Sequence, residues 1–218
     1  MRAMIKGILW DNDGVLVDTE HLFYEANRDL FREFGIELSH QQFFDCYLAD
    51  NCGAWHLLTD HALTEAQMEA HRARRNVWHS AALAASPHLA VAGMQAGLAR
   101  LAPRVAMGIV TSSTREHFDI VHARLDLLRH FAFVVAAGDY THSKPAPEPY
   151  LLGLQRLGLA AAECIAIEDS PRGLQAALAA GLRCLVIRSA LTRDYHFDGA
   201  YQIVNSPAEL FAVIDTLL

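Results

Sequence analysis

Lysine is nearly missing from this chain: Lys6 and Lys144 are the only two among 218 residues, and every other fixed positive charge is an arginine. A lysine so isolated draws attention to position 144. Cysteine is scarce as well. Cys46, Cys52, Cys164 and Cys184 form no CxxC pair, which argues against a zinc site or a disulfide frame and predicts reduced, buried thiols. No apolar run approaches the ~18 residues needed to span a bilayer. The stretch in which Arg2 and Lys6 flank a strand-like run lacks the apolar core and cleavage site of a signal peptide, so a cytoplasmic protein without a membrane partner is expected. Basic runs and interleaved aromatic platforms are missing and the formal charge is −7, which argues against a nucleic-acid partner. GxxxxGK[ST], GxGxxG and GxSxG elements are also missing, leaving nucleotide-motor, dinucleotide and serine-hydrolase readings without support. A small-molecule ligand and a monomer or weak dimer are the expectation.

What is present is organised around Asp11-Asn12-Asp13-Gly14, at the end of the apolar run Ile5-Lys6-Gly7-Ile8-Leu9-Trp10. Such a run closed by a turn-forming glycine reads as a buried strand feeding a loop. Side chains two apart on an extended segment leave the same face, so Asp11 and Asp13 present two carboxylates to one point while Asn12 turns away. Like charges that close ask for a cation or a shared proton. Downstream, residues 21–34, 39–48, 54–61 and 64–83 carry apolar positions at helical spacing, interrupted by Gly35, Asp50-Asn51-Cys52-Gly53 and Thr59-Asp60. From residue 105 strands alternate with helices: strands at 105–110, 133–136, 164–167, 185–187 and 202–204, helices at 91–101, 114–127, 147–157, 171–180 and 207–217. Ser170-Pro171 reads as an N-cap with proline at N1, and Gly181 as the glycine just past that helix. The pattern predicts an α/β fold, a doubly wound parallel sheet with helices on both faces, formed by residues 1–16 and 86–218, with an inserted all-helical cap at 17–85.

In such sheets the ligand sits beyond the carboxyl ends of the strands. There the sequence places Asp11 and Asp13, the hydroxyl cluster Thr111-Ser112-Ser113-Thr114, Lys144 within Ser143-Lys144-Pro145-Ala146-Pro147, and Glu168-Asp169-Ser170. A hydroxyl cluster leading into a helix N-terminus favours an anion. Each residue alone has an ordinary reading as a cap, a turn or a solvated lysine. Four acids, one lysine and a hydroxyl nest at one sheet edge do not.

Asp11-x-Asp13-Gly14 with Asp18-Thr19-Glu20, the apolar run ending in Thr111, Lys144-Pro145-x-Pro147, and Glu168-Asp169-Ser170 with Gly173 together resemble the four ordered motifs of the haloacid dehalogenase superfamily, in its phosphatase and phosphoglucomutase-like branch with a helical cap. The resemblance implies that Asp11 attacks phosphorus to form an aspartyl-phosphate. It implies that Asp13 protonates the leaving alcohol and later deprotonates water. Mg²⁺ would be held by the Asp11 carboxylate, the Asp13 backbone carbonyl and Asp169, with Glu168 supporting a metal-bound water. The Thr111 hydroxyl and the Asn12 and Ser112 amides would grip phosphoryl oxygens while Lys144 offsets charge.

Within that family, an acid at position 13 favours phosphoryl transfer over dehalogenation. Residues 15–90 contain no lysine for a Schiff base, which excludes a phosphonatase. The cap loop expected to face the site, Asp50-Asn51-Cys52-Gly53-Ala54-Trp55-His56, has His56 as its one basic residue, which favours a hydrolase over a sugar-phosphate mutase and makes His56 a candidate substrate contact. Arg72-Ala73-Arg74-Arg75 reads as a solvated helix face. No two of the twelve histidines stand in a recognised ligand spacing on one element, which predicts surface or satisfied rings. The expectation is a Mg²⁺-dependent phosphatase of a small phosphorylated metabolite, hinged near 17–19 and 86–87; a mutase and a non-catalytic phospho-ligand module are the alternatives.

Overall fold

The computed structural model describes residues 4–218; the first three, Arg2 among them, lie outside the described residues. Strands β1 (Gly7–Trp10), β2 (Ala106–Thr114), β3 (Val134–Ala137), β4 (Cys164–Glu168), β5 (Arg183–Ile187) and β6 (Gln202–Val204) form one sheet in the order β3-β2-β1-β4-β5-β6. Every neighbouring pair is parallel. After β1 the chain adds strands on one side, then returns at β4 to the other. The reversal leaves a crevice beyond β1, β2 and β4, where the loops part.

β1 is buried on both faces, which is why it reads as a continuous apolar run rather than an alternation. Ile8 and Trp10 join one apolar cluster with Ile109, Ile167, Phe118 and Phe211, while Leu9 joins a second with Val110, Ala166, Tyr150 and Leu174. Helices α1 (Glu20–Arg32), α2 (His40–Phe43), α3 (Glu65–Ala85), α4 (Met94–Leu101), α5 (Arg115–His122), α6 (Glu148–Leu157), α7 (Pro171–Ala179) and α8 (Pro207–Leu217) complete the chain with short 3₁₀ and π-helical turns. Ser170 and Ser206 cap α7 and α8 ahead of N1 prolines, and Gly181 takes φ +78° just past α7, as its sequence predicts.

Five elements differ from expectation, among them the strand expected at 105–110, which runs on to Thr114, and the segment 54–61, which is a 3₁₀ turn. The helix expected over 39–48 becomes the four-residue α2 and a π-helical turn, Phe44–Ala49. The helix at 91–101 starts three residues late, because Val91 donates to Leu16 O at 3.0 Å and Gly93 takes φ +91° before the first turn. The helix at 114–127 ends at His122, with Thr114 serving as its N-cap.

The helices between β1 and β2 surround their own apolar cluster of Phe31, Leu38, Phe43, Leu48 and Leu58. The two segments linking them to the sheet are stitched together: Asp18 N donates to Leu89 O at 2.8 Å and Val17 forms an antiparallel bridge with Ala90. Among the described residues no helix is long and apolar enough to cross a membrane.

Candidate active site

β1 ends at Trp10, paired with Ile109 and Ile167, so Asp11 emerges between β2 and β4 with its amide bonded to Ile167 O at 2.9 Å. Lys144 reaches the same point from the loop before α6. Its Nζ lies 2.7 Å from Asp11 Oδ1, 2.6 Å from Glu168 Oε1 and 2.9 Å from Val110 O, and its side chain is 2 % exposed. The isolated lysine is thus the cation at the centre of the acid cluster. Glu168 also accepts from Tyr150 OH at 2.7 Å and from the Asp169 amide at 3.2 Å, so it anchors Lys144.

Asp11, Glu168 and Asp169 bring one carboxylate oxygen each to within 4.8 Å of one another. Burial pushes the Asp11 carboxyl up to about 7, with Glu168 adding to the shift and Lys144 opposing it. Burial raises Asp169 well above the carboxylate range, and Asp169 Oδ2 has no hydrogen-bond partner among the described residues. Although burial pulls Lys144 down, Asp11 and Glu168 raise it above the ordinary amine value. A wholly buried carboxylate oxygen without a partner, in an all-oxygen donor set short of positive charge, fits a hard divalent cation. Two glycines make the packing possible. At Gly14 (φ +77°) a Cβ would stand 1.9 Å from Asp169 Oδ2, and at Gly173 one would stand 2.0 Å from Glu168 Cδ.

The Asp13 carboxylate is held from four sides. Thr19 donates to Oδ1 at 2.5 Å, while Ser113 (2.5 Å), Thr111 (3.3 Å) and the Asn12 amide (3.3 Å) donate to Oδ2. Asn12 itself is fully buried and its Oδ1 lies 2.8 Å from His122 Nε2, so its side chain does turn away from the crevice.

Above these groups lies a cavity of about 590 Å³, lined on the sheet side by Asp11, Asp13, Thr111, Ser112, Lys144 and Asp169. Asn51, Cys52 and Gly53, from the loop leading into the 3₁₀ turn that follows, and Trp55 within that turn line its roof, but His56 is exposed and is not among the lining residues. The reason is local. The 3₁₀ turn Ala54–His61 buries Ala54 and Leu58 in the helical cluster, leaving His56 to face outward. Cys52 is exposed and lines the cavity, unlike the buried Cys46, Cys164 and Cys184.

The arginine run on α3 is the larger departure. Arg74 pairs with Glu33 as a solvated face would, but Arg72, Arg75, Asn76 and His79 all line the cavity. Their spacing of i, i+3, i+4 and i+7 is one helix face, a polar stripe visible in the sequence. Arg172 of α7 joins them and donates to Asn51 Oδ1 at 3.0 Å, while Asn51 donates to Ser143 Oγ at 2.7 Å. Arg75 donates to Asn27 and Asn76, and neither Arg75 nor Arg172 forms an ion pair among the described residues. Glu20, at the start of α1, also lines the cavity, and burial, with Asp13 close by, pushes its carboxyl up to about 8. His79 and His117 meet edge to face at 4.6 Å where α3 passes α5.

Residues 8–187 match the family described as haloacid dehalogenase-like hydrolase, and the chain belongs to that family of hydrolases. The chain is 32% identical over 216 residues to CbbY of Rhodobacter capsulatus, covering 90% of this chain and 91% of that one. It is 28% identical over 199 residues to the fructose-1-phosphate phosphatase YqaB of Escherichia coli K12, covering 86% and 99%. A crystal structure of CbbY from Rhodobacter sphaeroides in complex with xylulose-(1,5)bisphosphate has a TM-score of 0.80 at 24% identity, over 95% of this chain and 96% of that one.

Proposed function

We propose that this hydrolase is a Mg²⁺-dependent phosphatase acting on a small phosphorylated sugar or short organic phosphate. One observation carries the reading: the Asp11 carboxylate, held by Lys144 at 2.7 Å, stands beside the unpartnered Asp169 oxygen at the floor of a covered cavity, with Asp13 two residues on. The Asp11 carboxylate attacks phosphorus, the P–O bond to the sugar breaks, and Asp13 gives its proton to the departing alkoxide. Water then attacks the aspartyl-phosphate, Asp13 takes its proton, and orthophosphate leaves. Mg²⁺ would be held by Asp11, the Asp13 carbonyl and Asp169, with Glu168 supporting, and would neutralise phosphoryl charge. Lys144 offsets the charge on Asp11 so that an anion can approach it, and the Thr111 hydroxyl and the Asn12 and Ser112 amides grip the phosphoryl oxygens.

The helices of residues 17–85 act as a cap over the core of residues 1–16 and 86–218, hinged near 17–19 and 86–87, and closure excludes bulk water. The Asn51 bridge to Ser143 and Arg172 supports the closed arrangement. Four unpaired thiols accord with a cytoplasmic setting, and we infer a monomer or weak dimer.

The roof favours a second reading on substrate. Arg72, Arg75 and Arg172 supply three guanidinium groups to the cavity, which suits a sugar carrying two anionic groups, as does the bisphosphate bound by the Rhodobacter sphaeroides relative. The sequence-based preference for hydrolysis rested on a cap loop short of basic residues, and the charge comes from α3 and α7 instead. The test is phosphate release from a panel of sugar mono- and bisphosphates with and without Mg²⁺. Turnover that needs Mg²⁺ and vanishes in Asp11→Asn supports the reading. Interconversion of sugar-phosphate isomers without net phosphate release would identify a mutase, and no turnover on any phosphoester would leave a binding module.

A further inference from the structure

Asn12 and His122 are both buried polar groups outside the cavity lining, and the chemistry proposed above uses neither side chain. A buried asparagine costs about 1–3 kcal/mol if left unpaired. Here it is paired at both ends, and the pairing has a direction. Asn12 Oδ1 faces His122 Nε2 at 2.8 Å, and Asn12 Nδ2 faces Asp13 Oδ2 at 3.3 Å. Turning the amide over would set its oxygen against a carboxylate oxygen and its NH₂ against the ring. With a carbonyl oxygen as partner, Nε2 must carry the ring proton, and Nδ1 has no partner among the described residues. The ring is clamped against Phe118, with centroids 4.2 Å apart.

The other three donors to Asp13 are hydroxyls of Thr19, Thr111 and Ser113. Hydroxyl hydrogens rotate to suit whatever is nearby, whereas an amide fixed at its far end does not. Thr19 also stands at the proposed hinge, at the start of α1, so the direction of that donor is tied to the position of the cap. Asn12, following β1, and His122, on α5, both belong to the core.

We propose that His122 is a positioning residue: through the Asn12 amide it fixes the direction of the Asp13 carboxyl, so that this group stays aimed whether the cap is open or closed. The inference rests on Asp13 serving as the acid and base of the proposed phosphatase. It also identifies why position 12, between two acids, carries a buried amide here.

The test compares His122→Phe, His122→Gln, Asn12→Leu and the Asn12→Leu/His122→Phe double variant in Mg²⁺-dependent hydrolysis of β-glycerol phosphate, whose alkoxide leaving group needs a proton, with orthophosphate inhibition measured alongside. His122→Phe keeps a ring but no donor, and kcat is expected to fall about tenfold, a fraction of the ~10²–10⁴ that a placed acid or base supplies. KM and the orthophosphate inhibition constant should stay within twofold. His122→Gln keeps a donor and should recover most of the rate. The double variant should be no slower than Asn12→Leu alone, because the two residues act in series. Melting temperature guards against misfolding, and ¹⁵N NMR of the ring provides a readout independent of turnover: Nε2–H in the wild type, lost as the fixed tautomer in Asn12→Leu. Wild-type turnover by His122→Phe, multiplying losses in the double variant, or a ring protonated on Nδ1 would overturn the proposal. A wild type that cleaves no phosphoester but shows the Nε2–H tautomer would refute the phosphatase reading while leaving the amide clamp in place.

Discussion

Replacing Lys144 by Met removes the charge at the centre of the acid cluster while keeping an unbranched side chain of similar length. The ammonium makes 2.6 and 2.7 Å contacts to Glu168 and Asp11 and a 2.9 Å bond to the Val110 carbonyl, all out of water. Removing one partner of a buried charge pair leaves the other uncompensated and costs about 3–5 kcal/mol. That cost depends on pH. The Asp11 carboxyl already titrates near 7 in the folded protein, above its unfolded value of about 3.9, and loss of Lys144 moves it higher. A group whose folded value is raised holds its proton in the folded state across that window, and the stability so conferred is lost as pH rises through the folded value. Lys144→Met should therefore lie about 3–5 kcal/mol below the wild type at pH 8 and within about 2 kcal/mol at pH 5.5. Urea midpoints in EDTA at the two pH values measure this, and phosphate release should be abolished at both. A penalty below about 1 kcal/mol at pH 8, or one flat with pH, would refute the view of Lys144 as the cation these carboxylates require.

Gly14→Ala is expected to lower stability by about 1–2 kcal/mol through its left-handed backbone and to weaken Mg²⁺ binding at least tenfold by displacing Asp169; isothermal titration reads both the affinity and its recovery in no conservative variant but glycine. Mg²⁺ at a hundred times its Kd should stabilise the wild type by about 2.7 kcal/mol, and thermal melts of Asp169→Asn should show no such shift. Burial, with His117 beside it, holds the His79 imidazole down to about 4, so the unfolded chain binds a proton below 6.5 that the folded one refuses. Stability is present above that value and lost as pH falls toward 4; His79→Phe should spare about 2 kcal/mol of the loss between pH 7.5 and 5, and identical urea-midpoint profiles would count against it.

The core of the site was legible because each piece is written locally. Asp11, Asp13, Thr111, Lys144 and Asp169 stand at strand ends or in a proline-stiffened loop, and the parallel topology gathers strand ends at one edge. β6 matches its expected span, because its short apolar run is bounded by turn residues. The helices between β1 and β2 were less legible. Whether Arg72 and Arg75 meet solvent or substrate depends on which face of α3 docks over the sheet, and the run Arg72-Ala73-Arg74-Arg75 contains both faces. His56 was favoured because it lies in a loop, yet the 3₁₀ turn rotates it outward. His122 sits among Phe118 and Val121 on the buried side of α5, and its partner Asn12 lies 110 residues earlier, a distance no local pattern bridges.

The bridge between Val17 and Ala90 joins the outgoing and returning chain at a single seam. Whatever is threaded between those two points can grow, shrink or be exchanged without shifting the register of any strand pair below. On the proposed function, most of the side chains that would meet a new cargo lie between those two points, with Arg172 added from α7, while Asp11, Asp13, Asp169 and Lys144 lie outside them.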